Sequence, residues 1–221
     1  MKVAIVGAGG HGRVAYDIFR LLHGSNATVV FFDDAPTHSE VLGQQVVRPV
    51  AALLEDPNCV NVFVAIGDNL TRAKITRTLL QAGKVLLTLV HPWTSVSTFS
   101  RIGRGTIAVA GTVVNAGAVV GDSVILNTHC SVGHDCRVED FAQLGPGVNL
   151  GGGAVIGEGA FLGMGAKVAP NVSVGEWAIV GAGSVVLHEV PPLTFSYGTP
   201  ARVVRELDSP ERAPRKSDHT R

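Results

Sequence analysis

Cysteine is scarce in this chain: Cys59, Cys130 and Cys136 are the only three among 221 residues. They are too few for a disulfide framework and lack metal-ligand spacing, which excludes a disulfide-stapled scaffold and suits a reducing compartment. There is no charge of one sign to spare, with Lys+Arg and Asp+Glu at 18 each, so nothing in the balance calls for a nucleic-acid or polyanion partner. No run approaches 18 apolar residues, and Met1-Lys2-Val3 leads straight into a strand pattern. Neither a membrane span nor a signal peptide is therefore expected, and the expected compartment is the cytoplasm. Aromatic residues make up only 5% of the chain, whereas glycine is abundant at 27. A chain of this length can bury a proper core without a metal staple.

The abundant glycine belongs to a repeat. Stepping by six from Ile102 lands on Ala108, Val114, Val120, Leu126, Val132, Val138, Leu144, Leu150, Ile156, Leu162, Val168, Val174, Val180 and Val186. Glycine often follows these aliphatics, as at Gly121, Gly133 and Gly145, and the fourth residue after each is small or Val, as at Ala118, Cys130 and Ala154. Two rules kept in phase over so many units are not chance. One large and one small inward residue per hexapeptide make one flat face of a triangular coil, with glycine easing each corner. Three units close one turn, so residues 102–191 are expected to form about five coils of 18 residues around an aliphatic axis. Cys130 and Cys136 fall on inward positions and are expected to be buried and inert.

Residues 1–97 follow another pattern, with strands at 3–6, 28–32, 60–66 and 85–90 alternating with helices at 14–22, near 49–54 and at 70–82. This predicts a parallel α/β, Rossmann-like domain. Gly7-Ala8-Gly9-Gly10-His11-Gly12 formally satisfies G-x-G-x-x-G, and Asp33-Asp34 follow about twenty residues on, as in a dinucleotide-dependent dehydrogenase. Only one mononucleotide-binding half fits before the repeats begin, which argues against that class. The better reading is a cradle for one nucleotide at a helix N-terminus. Gly9, Gly10 and His11 would approach the phosphate or sugar, Asp33 or Asp34 the ribose or base, and Gly67 and Asn69 the far side.

Three segments together carry a family resemblance: Gly9-Gly10-His11-Gly12 after the first strand, Ala65-Ile66-Gly67-Asp68-Asn69 before the third helix, and Asn127-Thr128-His129-Cys130-Ser131-Val132-Gly133-His134-Asp135-Cys136 in the repeats. The chain resembles the sialic-acid O-acetyltransferase and nucleotide-aminosugar N-acetyltransferase family from Met1 to about Arg205. That resemblance implies a left-handed parallel β-helix over residues 98–206, a homotrimer, and acetyl-CoA in the groove between subunits, with no metal. His134 points outward from its coil, and a neutral imidazole suits removal of a proton from an attacking amine or hydroxyl. The resemblance makes His134 that base, Asp135 its acidic partner, Asn127 a further site residue and Gly152 the oxyanion N–H donor. It places Gln143, Gly152, Met164, Ala182, Pro200 and Arg202 along acetyl-CoA. Gly133 and Gln143 depart from the family, the latter standing where some relatives have a second histidine. His129 is read as surface. Residues 207–221 are expected to form a disordered tail.

The function expected is acetylation of the amino group of a nucleotide-linked 4-amino-4,6-dideoxy sugar by direct attack on the thioester. O-acetylation of sialic acid is the alternative, and a non-catalytic nucleotide-sugar-binding scaffold is the alternative of another class. The γ-type carbonic anhydrases share such a solenoid, and His129 and His134 have their spacing. Trp93 stands where the third zinc ligand is needed, which argues against it.

Overall fold

The computed structural model describes residues 2–25 and 27–211. The N-terminal domain is a sheet in the order β3-β4-β2-β1-β5-β6. Its strands are β1 (Lys2–Val6), β2 (Thr28–Phe32), β3 (Glu40–Val41), β4 (Gln44–Val47), β5 (Asn61–Val64) and β6 (Val85–Leu86). Helices α1 (Gly10–His23), α2 (Ala52–Glu55) and α3 (Asn69–Gln81) connect them. β1 pairs in parallel with β2 and β5, as the alternation of strands and helices predicts. The small β3–β4 hairpin was not anticipated. α1 begins at Gly10, one turn earlier than the hydrophobic period suggested, so Gly10, His11 and Gly12 belong to its first turn.

The glycine-rich segment divides by purpose. Gly7 has φ +107°, and a Cβ there would lie 2.6 Å from the Ala65 carbonyl oxygen. A Cβ on Gly12 would collide with the Gly7 carbonyl. These two glycines allow β1, β5 and α1 to close together, whereas Gly9, Gly10 and Gly67 face open space.

From Leu89 onward the chain winds as a left-handed parallel β-helix with three faces. Ile107, Ile125, Gln143, Phe161 and Ile179 open successive strands of the first face; Val113, Ser131, Asn149 and Lys167 those of the second; Val119, Arg137 and Val155 those of the third. Partners along each face are 18 residues apart, as in Ile125↔Gln143 and Gln143↔Phe161. The repeated aliphatics form one axial core with Cys130, Cys136, Ala154 and Ala166. The expected strand 85–90 is two strands: β6 completes the N-terminal sheet, and β7 (Leu89–Val90) pairs with Ile107–Ala108 in the first coil. Coil pairing thus starts ahead of Ile102, and the two residues between β6 and β7 carry the chain from one domain to the other.

Corner geometry also differs from the reading above. The left-handed φ falls three residues after each repeated position from Ile102 to Val180, at Gly105, Gly153 and Gly165 but also at His129 (56°), Asp135 (58°) and Trp177 (55°). Glycines that directly follow the aliphatics serve stacking instead. A Cβ at Gly133 would lie 2.7 Å from the Leu150 carbonyl oxygen and 2.8 Å from the Gly152 nitrogen of the next coil.

The two domains share a core. Tyr16 and Phe19 of α1 cluster with Leu89, Ile107 and Ile125 on the first face. A second joint is polar: Arg72, 1% exposed, donates to the Ser123 (2.9 Å) and Phe141 (2.7 Å) carbonyls of the β-helix and to the Ile66 carbonyl and Asn69 Oδ1 of its own domain. Burial pulls its guanidinium down to about 9, against the raising influence of Asp68. After the last coil, Thr194–Gly198 and Ala201–Glu206 form an antiparallel hairpin. Leu207, placed in the expected tail, is buried and donates its N–H to the Leu193 carbonyl; residues 212–221 lie outside the described residues.

Candidate active site

His134 and Asp135 occupy the corner between the second and third faces. Their side chains are 71% and 73% exposed, and His134 Nδ1 lies 2.8 Å from Asp135 Oδ2. Nδ1 is thereby taken, and Nε2 is the nitrogen left to face a substrate. Asp135 reaches back because its backbone is left-handed, a conformation that Asp tolerates better than most side chains. One coil above, Gly153 N–H donates to the His134 carbonyl (2.9 Å). A Cβ on Gly152 would run into His134 Nε2, so the Gly152 backbone lies against the imidazole.

Asn127 sits on a different corner, between the first and second faces, where its Oδ1 accepts from the Thr128 N–H. Met164 and Ala182 lie on that same corner in higher coils. Both line a cavity of about 310 Å³ with Gln143, Pro146, Phe161, Ile179 and Phe195. Gln143 Oε1 is buried there without a hydrogen-bond partner. The C-terminal hairpin folds over the top of this corner, as Thr199 Oγ1 donates to the Gly183 carbonyl and the Gly198 N–H to Ser184 Oγ. Pro200 stands at its turn, and Arg202 lines a separate cavity of about 210 Å³ with His188 and Ser196. One chain therefore gathers Gln143, Met164 and Ala182 but holds His134, Asp135 and Gly152 on another edge.

His129 is exposed and packs over Gly111 of the preceding coil, on the Asn127 corner and not on that of His134. Among the described residues no group of three or more His, Cys, Asp or Glu could hold a metal ion. Cys130 and Cys136 are buried, and burial pushes the Cys130 thiol up to about 12.

In the N-terminal domain, Gly9, Gly10 and Gly67 are open to a ligand, but the other candidates divide. Both oxygens of Asp33 are engaged, Oδ2 by the Ala8 N–H (2.8 Å) and Oδ1 by the Ala35 N–H (2.9 Å), so Asp33 shapes the glycine loop. Asp34 lines a cavity of about 190 Å³ between α2 and α3 with Val50, Leu54, Lys74 and Ile75. Asn69 turns away from the glycine loop, donating to the Gly159 (3.0 Å) and Ala160 carbonyls of the β-helix. Asp68, not Asn69, caps α3. His11 Nε2 is buried without a partner, and burial, followed by the nearby Arg72 charge, lowers its imidazole to about 4.

The floor that joins the two regions escaped the sequence reading. Phe161 and Ile179 line both the cavity below Met164 and a narrow cleft bounded by Gly67, Asp68 and Trp177. The signal was present: outward positions that carry Ser, Asn, Lys, Arg or Val on the other faces are Ile or Phe here, with Gln143 the exception between Ile107 and Ile179.

A parallel β-helix wound from six-residue repeats is the fold of the bacterial hexapeptide transferases. Residues 153–188 match the bacterial transferase hexapeptide model (six repeats), and residues 2–79 match the PglD N-terminal domain model. Among solved structures, perosamine N-acetyltransferase from Caulobacter crescentus, crystallised with CoA and GDP-perosamine, is 39% identical with a TM-score of 0.88. The match covers 93% of this chain and 98% of that one. The acetyltransferase domain of PglB from Neisseria gonorrhoeae FA1090, solved with acetyl coenzyme A, is 36% identical with a TM-score of 0.87, over 92% and 98% of the two chains. Matches to curated proteins are local: serine acetyltransferase of Escherichia coli (strain K12) is 54% identical over 43 residues, 20% of this chain and 16% of that protein. The chain spans about a fifth of the length of the curated relatives it matches first. The chain belongs to the family of the perosamine N-acetyltransferase and PglB/PglD-type acetyltransferases.

Proposed function

We propose that the protein is an acetyl-CoA-dependent N-acetyltransferase that acts, as a homotrimer in the cytoplasm, on a nucleotide-linked 4-amino-4,6-dideoxy sugar destined for a glycan. The observation that carries this reading is the His134–Asp135 pair at 2.8 Å with the Gly152 backbone against the free imidazole nitrogen. The perosamine relative, solved with CoA and GDP-perosamine, supports the choice of donor and acceptor.

His134 sits on one edge of the coil and the Met164–Ala182 groove on another, so a working site is completed by pairing the edges of two subunits. The groove's apolar side chains suit the pantetheine arm, and the hairpin bearing Pro200 and Arg202 lies at its upper end. The open Gly9-Gly10 turn and Gly67 take the nucleotide, and Phe161 and Ile179 carry the sugar towards the neighbour's His134. His134 Nε2 takes one proton as the amine attacks the thioester carbonyl carbon, Asp135 fixes the ring, and the Gly152 N–H meets the developing oxyanion. The new N–C bond forms, the C–S bond breaks, and the departing thiolate receives the proton from His134. Neither Cys130 nor Cys136 has a part, being buried.

The test is thiol release from acetyl-CoA by wild type and His134→Ala, with GDP-, UDP- and dTDP-4-amino-6-deoxy sugars and free sialic acid as acceptors. Turnover of one aminosugar nucleotide, lowered on the order of 10²- to 10⁴-fold in the variant, is expected. Release with sialic acid alone would make the enzyme an O-acetyltransferase. No release with any acceptor, despite nucleotide-sugar binding, would make it a scaffold.

A further inference from the structure

Gln143 stands alone as a polar side chain in the groove. Its neighbours on the first face are Ile125 and Phe161, and the other side chains that line the cavity are apolar. Buried acceptors are rarely left unpaired in native proteins. The orphan Oε1 is therefore placed for a donor that arrives with a ligand. A carbonyl oxygen accepts only, and within the proposed reaction the donors nearest the bonds that change are a pantetheine amide N–H and the N–H of the acceptor amine.

The coil register separates these two. Gly152 lies one coil above His134, as the Gly153-to-His134 hydrogen bond shows. Gln143 lies midway in sequence between residues 134 and 152. With strands about 4.8 Å apart, it is about 2.4 Å along the axis from each. Rotation between subunits about an axis parallel to the coil leaves this height unchanged. One subunit's Gln143 then meets the neighbour at the level between the imidazole that removes a proton and the N–H that receives the oxyanion. That is the level of the attacking atom. Pantetheine amides held along Met164 and Ala182, as proposed above, would lie higher.

We infer that Gln143 Oε1 accepts a hydrogen bond from the acceptor amine and makes the site selective for nitrogen over oxygen nucleophiles; this rests on the function proposed above. A neutral primary amine carries two hydrogens. As its lone pair forms the N–C bond, His134 takes one and the C–S bond releases the thiolate. The second hydrogen stays on nitrogen, held by Gln143 from the bound amine to the product amide. A hydroxyl has only the hydrogen that the base removes, which leaves the Gln143 carbonyl facing oxygen lone pairs.

The experiment measures thiol release at varied acetyl-CoA for wild type, Gln143→Leu and Gln143→Glu with the 4-amino nucleotide sugar. The 4-hydroxy analogue serves as a competitive inhibitor. Gln143→Leu is expected to lower kcat/KM for the amine about 10- to 100-fold. The KM for acetyl-CoA should stay unchanged, and the Ki of the hydroxy analogue should fall, because the substitution removes the carbonyl that faces its oxygen. Gln143→Glu, which keeps an acceptor oxygen, should recover most of the loss. A raised acetyl-CoA KM in Gln143→Leu with normal amine turnover at saturation would make Gln143 a pantetheine ligand. A Glu variant no better than Leu would show that the amide's donor side is the working one. Either result overturns the inference while the proposed function stands. Wild type that binds acetyl-CoA but acetylates no amine overturns the proposed function itself, before any substitution at 143 is made.

Discussion

Gly152 illustrates how a single hydrogen in place of a side chain serves the site. A methyl at 152 overlaps the His134 imidazole, so Gly152→Ala must displace the proposed base or the proposed oxyanion donor. Its kcat is expected to fall about 10²- to 10³-fold with little change in the acetyl-CoA KM, measured by thiol release. His11 gives a prediction in pH. Its folded-state value of about 4, set mainly by burial, lies below the ordinary histidine value of 6.5. The unfolded chain binds the extra proton between these values, so stability is fully present above pH 6.5 and is lost as pH falls toward 4. The loss amounts to roughly 3 kcal/mol. Urea unfolding at pH 7.5 and 4.5 should show that His11→Asn loses less than wild type over this interval. His134 was legible as an outward residue from the six-residue period alone. The engagement of both Asp33 oxygens by loop N–H groups was not, because an aspartate pair after a strand reads alike whether it caps the protein or a ligand.

At the scale of elements, the repeats were the most legible part, since one inward aliphatic per six residues leaves a single way to close the core. The crossing from β6 to β7 was hidden because Val85 to Val90 is apolar but for Thr88 and holds no Gly, Pro, Asn or Asp to mark a turn, and only pairing partners divide it. The joint between domains was hidden for a related reason. An arginine in a helix normally signals a solvated face, yet Arg72, in the first turn of α3, is buried among carbonyls of both domains. Arg72→Ala would leave those carbonyls unpaired, and a loss of about 3 kcal/mol or more is expected in thermal unfolding. Limited proteolysis should then cut between β6 and β7, where wild type resists.

For the whole molecule, the separation of edges within one chain has a direct genetic test. A His134→Ala subunit retains the glycine loop and groove, and a subunit with Gly10 enlarged to Trp retains His134. Each variant trimer should turn over only slowly, but mixed trimers formed by co-expression are expected to recover part of the wild-type rate, read as thiol release per trimer. If all site residues worked within one chain, mixing would restore nothing. The 18-residue register also makes the protein a ruler. Excising one whole turn above Gly152 would keep every inward aliphatic in step and every face on its side. The distance from His134 to the C-terminal hairpin would shorten by about 4.8 Å. Coil number is thus a length setting, separable from the chemistry, by which such a solenoid would match its span to the reach of the proposed acyl carrier.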